Sequence, residues 1–446
     1  MPATTANIAE ILDRRKISTF QAGVIALSTA VVFVEGLNVQ AAGYIAPALE
    51  QSFRLTRSDL TVFFTAGTVG LMLGALLVAP LADRIGRRPV LVGCVFLFGL
   101  ASLLTAIGPS LEALEVFRFL TGLGIGGGMP NAIAITAEYS PENRRSAMVA
   151  IMMTGFILGS IAAGLIGAWL VPSYGWQSVF VVGGSVSLLL APMLFVRLPE
   201  SLRFLVLQGR ERALIVRHLQ RIDPALMVAE ETRFVVDEHT GSGDSVTALF
   251  NEGRVRTTLL LWTIYFMSLL NLYLLASWVT THVHSLGIAV QLSILIGTMF
   301  QVGGVFGAMF GWLVDRMGPS RAIFIAYLIG ALAIAAIPLA GADPVALTLA
   351  VFASGFGIIG GQNAANALAA MSYPTQIRST GVGWATGIGR FGSVVGPGVA
   401  GILLSLNFST QHVFYLAVIP ALIASAAGVA LGDWRRPVAA DTNAPA

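Results

Sequence analysis

Twelve apolar runs, each long enough to cross a lipid bilayer, follow one another along the 446-residue chain. A bilayer core about 30 Å thick needs roughly 20 apolar residues in an α-helix. Only 11% of the residues are charged, against about 25% in soluble globular domains, so much of the surface must face lipid. The sequence therefore predicts an all-α integral membrane protein with spans 1 to 12 at 18–48, 59–82, 88–108, 112–138, 146–170, 176–197, 257–281, 291–314, 320–340, 345–371, 381–405 and 411–431.

Basic residues cluster in every second loop, whereas the opposite loops carry little besides Arg54 and Arg57. Short loops rich in Lys and Arg stay on the cytoplasmic side of a membrane. We therefore expect both termini and the long polar segment to be cytoplasmic. The clusters are Arg14, Arg15 and Lys16; Arg84, Arg87 and Arg88; Arg144 and Arg145; Arg316 and Arg321; Arg378; and Arg435 and Arg436.

The polar segment separates six spans from six. It mixes Arg and Glu with apolar residues at helical spacing, and Pro224 and a Gly-Ser-Gly stretch interrupt it. Such a segment predicts one or two short helices at the membrane surface and a flexible joint. The expected domains are an N-terminal tail at 1–17, a six-helix bundle at 18–197, a cytoplasmic linker at 198–256, a second six-helix bundle at 257–431 and a C-terminal tail at 432–446.

The second half of the chain repeats motifs of the first half at a nearly constant offset. Asp83 and Asp315 open similar loops, and GLGIGGG at Gly122 corresponds to GFGIIGG at Gly355. The loops SPENRRS and YPTQIRS correspond in the same way through Arg145 and Arg378. Three motifs in one order at one spacing predict two homologous bundles.

The glycine-rich stretches of spans 4 and 10 match the sequence of the dinucleotide fingerprint G-x-G-x-x-G but not its structural context. That fingerprint requires a preceding strand inside a soluble βαβ unit. In apolar segments about 20 residues long, small residues instead let helices approach closely. We expect the same packing role for Gly155, Gly159 and Gly164 in span 5 and for Gly383, Gly387, Gly392 and Gly396 in span 11.

Glu35 is a carboxylate in the middle of an otherwise apolar span. An ionisable group at bilayer depth costs at least about 2.5 kcal/mol, so such residues usually face a cavity or a partner. Arg118 in span 4 and Arg390 in span 11 are also deep, which puts two cations against one anion. Guanidinium binds carboxylate through two parallel hydrogen bonds. We therefore assign Arg390 to a carboxylate substrate, and Arg118 to proton coupling with Glu35 through that carboxylate or the oxygen of Asn38.

Two alternatives remain at this point: Glu35 reaches water near a helix end, or Arg118 only holds helices together. Asn38 lies three residues after Glu35, and therefore on the same helix face, which we place toward a substrate cavity. Aromatic and amide side chains at other mid-span positions suit a ring that carries hydroxyl groups. The candidates are Tyr265, Asn271, Tyr273, Gln301, Gln362, Asn363 and Trp384.

Several functions are excluded by what the sequence lacks. There is no Ser/His/Asp set, no P-loop and only one cysteine, Cys94, so we expect neither an enzyme nor a cofactor or metal site. The net charge of +3 comes from arginines in short loops and does not indicate nucleic acid. His282 and His284 are isolated interfacial histidines and predict neither a metal site nor a pH sensor.

The motifs DRIGRR at Asp83 with a weaker copy at Asp315, Arg118 with Gly122-x-Gly124, and PES at 199–201 resemble the major facilitator superfamily over essentially the whole chain. EGLNVQAAGYIAPAL in span 1 and YPTQIRSTGVGWATGIGRFGSVVGPGVAG at 373–401 are similar to the bacterial aromatic acid:proton symporters, most to their hydroxyphenylpropionate-type branch. The resemblance implies the major facilitator fold and an inner-membrane importer. We expect it to function as a monomer, although the sequence leaves the quaternary state open. It would carry a hydroxybenzoate- or hydroxyphenylpropionate-type acid with protons by alternating access.

The resemblance also implies a cytoplasmic gate in which Asp83 caps a neighbouring helix and pairs with arginine. A simple positive-inside loop is the alternative for its arginines. Two departures from the family pattern stand out: Pro80 replaces a glycine, and Asn38 replaces a second acid. The gate residues are Asp83, Arg84, Arg87, Arg88, Glu138, Arg145, Asp315, Arg316 and Arg378.

Two other functions fit the same sequence. An exporter, facilitator or exchanger of another organic anion would use the same loop motifs. A membrane sensor that binds aromatic acids without moving them would also need a buried arginine, although the linker leaves little room for a signalling domain.

Overall fold

The computed structural model is built of long helices, as the apolar runs predict, and it describes residues 5–8, 12, 17–209, 212–223, 232–235, 246–374 and 377–432. Each of the twelve runs forms a helix. In chain order, spans 1 to 12 are Thr19–Phe53, Arg57–Ile85, Arg87–Ile107, Leu111–Glu138, Arg145–Tyr174, Gln177–Arg197, Val255–Ser285, Val290–Met317, Pro319–Leu339, Pro344–Ser372, Arg378–Ser405 and Thr410–Ala430.

Span 4 differs from the other spans in composition. Among the described residues, eleven helices are long and apolar enough to cross a membrane. The twelfth predicted span is the 28-residue helix Leu111–Glu138, which is less apolar because it carries Arg118, Pro130, Asn131 and several glycines. Its length and its place in the repeat still make it span 4.

Local sequence explains where several spans begin. Ser18 accepts a hydrogen bond from the backbone N–H of Gln21, and the Gln21 side chain accepts one from the Ser18 backbone, which forms a capping box before span 1. Ser110, Asp343 and Ser409 cap spans 4, 10 and 12 through their side chains. These caps satisfy N–H groups that a helix leaves without intrahelical partners.

Span 2 changes its winding near Pro80. It runs as an α-helix over Arg57–Leu73, widens to a π-helix over Gly74–Val78 and tightens to a 3₁₀ turn over Ala79–Leu81. Proline has no N–H to donate and its ring clashes with the preceding turn. The departure of Pro80 from the family pattern therefore coincides with an irregular end of this span.

The described residues fall into two compact units, one within Met1–Arg54 and Val62–His239 and the other within Leu55–Thr61 and Thr240–Ala446. In the first unit, span 1 packs on span 5, span 2 on span 4, and span 3 on spans 4 and 6. In the second unit, span 7 packs on span 11, span 8 on span 10, and span 9 on spans 10 and 12. The same pairs recur six spans later, so the sequence repeat is also a structural repeat.

Glycines bring several of these helices into backbone contact. A Cβ on Gly122 would overlap the carbonyl oxygen of Gly67 in span 2, and a Cβ on Gly355 would overlap that of Phe300 in span 8. Gly159 in span 5 and Gly392 in span 11 pack as closely against Phe33 and Phe266. The packing role predicted for these glycines is therefore confirmed.

The packing prediction is wrong for two glycines of span 11. A Cβ on Gly383 or Gly387 would meet no atom of the described residues within 4 Å. Both lie nearer the start of the helix than Gly389, Gly392 and Gly396, which touch span 7. Sequence spacing alone does not show where along its length a helix meets its neighbour.

The linker contains the short helices Leu202–Leu207 and Arg212–Ile222, in agreement with the prediction of one or two helices. Its three-residue strand Arg233–Val235, which pairs in parallel with Thr5–Asn7, was not predicted because three residues are too few to show alternation. Pro224 and the Gly-Ser-Gly stretch at 241–243 lie outside the described residues.

Candidate functional site

Glu35 lies in the interior of the first unit with no exposed surface. Its Oε1 would be 2.5 Å from a Cβ on Gly128, so the carboxyl group packs directly against the backbone of span 4. Cys94 of span 3 borders the same place. The alternative in which Glu35 reaches water from a helix end does not hold in this structure.

Asn38 points toward span 6 and not toward an open cavity. Its Nδ2 donates to the carbonyl oxygen of Val34 at 2.8 Å and to Oγ of Ser187 at 3.2 Å, and the residue is 1% exposed. Gly183 leaves the space that its Oδ1 occupies. These contacts favour a packing role for Asn38. The expected orientation toward a cavity is wrong in this conformation, because the side chain packs against span 6, where Ser187 accepts its hydrogen bond.

Arg118 of span 4 is buried between spans 1, 2 and 6 of the first unit. Its Nη1 donates to the backbone oxygen of Asn38 at 3.1 Å. The guanidinium carbon lies 5.7 Å from the ring centre of Phe63 and 5.9 Å from that of Phe180. The oxygen of Asn38, one of the two partners that the sequence left open, accepts this hydrogen bond through the main chain and not through the amide side chain. Cations between aromatic faces gain electrostatic stabilisation.

In the second unit, the predicted substrate anchor lies beside a predicted aromatic residue. Nη1 of Arg390 in span 11 donates to the hydroxyl oxygen of Tyr273 in span 7 at 3.4 Å, and both side chains are half-buried. The contact joins two helices that lie far apart in the sequence. A half-buried guanidinium next to a phenol is suited to binding a carboxylate that also carries a ring.

A second polar group lies along the same helix. The hydroxyl of Tyr265 donates to Oδ1 of Asn366 at 2.8 Å, and Nε2 of Gln362 donates to the same oxygen at 3.1 Å. Asn366 is exposed, and sequence reasoning missed it. The signal was available, because Asn366 follows Gln362 by four residues and therefore lies on the same face of span 10.

The other predicted binding residues have different surroundings. Trp384 is exposed and stacks on Trp262 with ring centres 5.9 Å apart. Asn363 is half-buried, whereas Gln301 and Asn271 are buried. Both polar atoms of the Asn271 side chain lack a hydrogen-bond partner among the described residues. Asn271 follows Asn38 at the offset that relates the two bundles, so the two residues occupy equivalent positions in the repeat.

Three predicted gate residues of the first unit, Arg87, Arg88 and Glu138, belong to a network at the start of span 3. Arg87 pairs with Glu138 at 2.8 Å, and the hydroxyl of Ser201 donates to Glu138. Oε1 of Glu200 accepts hydrogen bonds from the backbone N–H groups of Arg87 at 2.9 Å and Arg88 at 3.2 Å. The carboxylate that caps span 3 is therefore Glu200 of the PES motif, and negative charge at a helix N-terminus is stabilising.

Asp83, to which the resemblance assigned a capping role, is exposed in this structure. Arg88 donates to the carbonyl oxygen of Phe195 and lies over its ring at 5.1 Å. In the second unit, Arg316 lies over the ring of Trp312 at 4.0 Å. Exposed side chains also belong to Arg84, Arg145, Asp315, Arg316 and Arg378.

Comparison with known proteins supports the resemblance in the motifs. The family model described as Major Facilitator Superfamily matches residues 29–359 and 261–446. The chain belongs to the Major Facilitator Superfamily. Solved structures of this superfamily's fold align over nearly the whole length. They include a D-xylose-proton symporter (TM-score 0.72, 16% identity, 94% of this chain and 98% of that chain) and an inward-facing, occupied bacterial homologue of the lysosomal transporter Spinster (TM-score 0.73, 16% identity, 93% and 97%).

Within the superfamily, this chain is similar in sequence to aromatic acid transporters. It is 40% identical to the 4-hydroxybenzoate transporter PcaK of Pseudomonas putida, over 96% of each chain. It is 39% identical to a gallate transporter of the same species, over 98% of each chain. Identity to the 3-(3-hydroxy-phenyl)propionate transporter of Escherichia coli K12 is 36%, over 90% of this chain and 92% of the relative. The protein is thus a multi-pass membrane transporter and not an enzyme.

These identities do not favour the expected likeness to the hydroxyphenylpropionate-type branch, because the relatives named for hydroxybenzoate and gallate are more similar. The motifs of spans 1 and 11 indicate an aromatic acid transporter correctly. They contain too few residues to separate ring acids that differ in the length of the carboxylate arm.

Proposed function

We propose that this transporter imports a hydroxylated aromatic carboxylic acid, of hydroxybenzoate or hydroxyphenylpropionate type, together with protons. It would work as a monomer by alternating access in a bacterial inner membrane, with both termini in the cytoplasm. The names of the relatives support the substrate class, and the arginines in alternate loops support the orientation.

The observation that carries the proposal is the contact between Arg390 and Tyr273. Arg390 would bind the substrate carboxylate, since guanidinium presents several N–H donors in one plane. Tyr273 would hold the guanidinium and stack on or contact the ring. Asn366 and Gln362, joined to Tyr265 by hydrogen bonds, offer an amide to a phenolic hydroxyl of the substrate.

Glu35 would carry the coupled proton. It is a buried carboxyl group within a membrane span, which is the usual setting of proton relays in transporters. Arg118 would stabilise the ionised form from the same unit, while its hydrogen bond to Asn38 fixes its position. Asn38 cannot ionise, so Glu35 would act without the second acid that the family pattern contains.

The test is uptake of labelled 4-hydroxybenzoate, gallate and 3-(3-hydroxyphenyl)propionate into proteoliposomes, with and without an inward proton gradient. The native protein should accumulate at least one of these acids only when the gradient is present. In Glu35→Gln, gradient-driven accumulation should be lost, while exchange of labelled for unlabelled substrate continues. Glu112→Gln serves as the control, because Glu112 lies in the first turn of span 4.

Accumulation that ignores the gradient and survives Glu35→Gln would contradict proton symport and leave a facilitator or exchanger. Efflux from loaded vesicles without uptake would indicate an exporter. Binding of a labelled acid without any movement across the membrane would indicate a sensor.

A further inference from the structure

A groove on the first unit lies outside all of the residues assigned to transport. Its volume is about 640 Å³. It runs between the start of span 1 and the end of span 6, so its walls meet at one end of the bundle. Its lining includes Gly23, Ala26 and Ala30 of span 1, Val196 and Arg197 of span 6, and Arg221 of the linker.

The floor of the groove is apolar and open. Gly23 and Ala26 are exposed, and Val196 on the opposite wall is 78% exposed. A Cβ on Gly23 would meet no atom of the described residues within 4 Å. In a protein that crosses a bilayer, an open apolar groove beside the spans is accessible to acyl chains.

Two arginines mark one end of this groove. Arg197 is the last residue of span 6, and Arg221 comes from the short helix Arg212–Ile222. The guanidinium of Arg221 lies 5.2 Å from the ring centre of Phe20, which holds it next to the start of span 1. The described lining contains no acidic residue. Apolar walls that end in two cations match a ligand with a hydrocarbon chain and a negative head.

We propose that this groove binds an anionic phospholipid, with its phosphate at Arg197 and Arg221 and an acyl chain along Gly23, Ala26 and Ala30. Basic pockets between membrane helices are a known setting for anionic head groups. A zwitterionic lipid would satisfy the apolar walls, but its positive group would oppose the arginines. The site is separate from the aromatic acid site, so it stands whether or not the proposed transport function is correct.

The test uses purified full-length protein in a neutral detergent with phosphatidylglycerol or phosphatidylcholine of the same acyl chains. Bound lipid is counted by native mass spectrometry. The native protein should retain more phosphatidylglycerol than phosphatidylcholine. The double variant Arg197→Gln/Arg221→Gln should lose that preference by about 25-fold, because each arginine near a membrane surface contributes about fivefold.

Two matched controls separate this groove from general surface effects. Arg217→Gln removes an exposed arginine from the same short helix without touching the groove and should leave the preference unchanged. Gly23→Leu should fill the groove and reduce retention of both lipids. Gly93→Leu, at another exposed and open glycine of the first unit, should not. Size-exclusion profiles establish that each variant is folded.

A preference for phosphatidylglycerol that survives in the double variant would overturn the proposal. Equal losses in Arg217→Gln would also overturn it, since they would indicate diffuse attraction to surface charge. If glycerol phosphate without acyl chains displaced the lipid at similar concentrations, the groove would be a soluble-anion site and the lipid assignment would be wrong. Uptake of aromatic acids is measured separately, so neither result depends on the other.

Discussion

The contact between Arg390 and Tyr273 is the basis on which we propose that span 11 presents a cation to the substrate. Arg390 is half-buried, and its hydrogen bond to the phenol fixes one edge of the guanidinium. A positioned donor loses less side-chain entropy when a ligand binds. Lysine has the same charge, but its three N–H donors share one nitrogen on a flexible stem and cannot offer a carboxylate two parallel hydrogen bonds.

Arg390→Lys should raise the KM for aromatic acid uptake about tenfold or more, because a charge-assisted pair of hydrogen bonds is replaced by one contact. Tyr273→Phe should raise KM less, by about two- to tenfold, since it removes only one neutral partner of the arginine. Initial uptake rates over a range of substrate concentrations give both values.

Arg256→Lys is the control, because Arg256 lies at the start of span 7 and donates to the carbonyl oxygen of Ala430. Its KM should equal that of the native protein. An unchanged KM in Arg390→Lys would mean that Arg390 does not bind the carboxylate.

At the residue scale, the sequence predicted which ionisable side chains are buried better than it predicted which way a side chain points. Burial of Glu35 follows from one acid in an apolar run, and the sequence shows it. The orientation of Asn38 does not follow, since it depends on Ser187 and Gly183 of span 6. The capping role of Glu200 depends in the same way on tertiary structure, because the residues after span 6 meet the start of span 3 only in the folded unit.

At the scale of helices, glycine contacts set the distance between spans 2 and 4. Gly122→Leu would drive a side chain into the backbone of Gly67. Overpacking of this kind usually costs about 1–3 kcal/mol, and a backbone neighbour cannot move aside as a side chain can. The melting temperature in detergent should therefore fall by several degrees.

Gly383→Leu is the matched control, since the position is open and leucine favours a helix more than glycine does. Its melting temperature should stay the same or rise. Equal losses in both variants would show that the volume added to a span, and not its contact with span 2, decides stability.

The packing of the helix Arg212–Ile222 against span 1 should depend on pH. His218 is 9% exposed and stacks on Phe20. Burial, and then the positive charges of Arg221, Arg217 and Arg88, lower the pKa of His218 below its ordinary value of 6.5. The unfolded chain therefore takes up a proton that the folded chain resists, and stability falls as the pH drops below 6.5.

Acidification from about pH 7.5 to about pH 5.5 should lower the melting temperature more in the native protein than in His218→Gln, which has no proton to gain. His412→Gln is the control, because His412 is exposed at the start of span 12. Identical pH dependence in the native protein and His218→Gln would show that His218 does not contribute.

At the scale of the whole molecule, a substrate that binds only the folded protein stabilises it by mass action. At a concentration of about 100 times Kd, the gain is about 2.7 kcal/mol. We expect 4-hydroxybenzoate or gallate to raise the melting temperature of the native protein, and the shift to disappear in Arg390→Gln. Benzyl alcohol, which has a ring but no carboxylate, should give no comparable shift.

A shift of the same size with benzyl alcohol would mean that the ring alone accounts for binding. A shift that persists in Arg390→Gln would place the carboxylate at another cation. Either result can be compared directly with the uptake data, because binding and movement are measured on the same variants.

The sequence by itself determined the class, the number of spans and the two-fold repeat. These depend on hydrophobic runs and motif spacing, which are local properties of the chain. Tertiary structure decided which side chains meet: Arg390 with Tyr273, Tyr265 with Asn366, Arg118 with the main chain of Asn38, and Glu200 with the start of span 3. Such contacts join residues far apart in sequence. They depend on how each helix is rotated against its neighbours, and a pattern of apolar residues leaves that rotation open when lipid and protein interior are equally apolar.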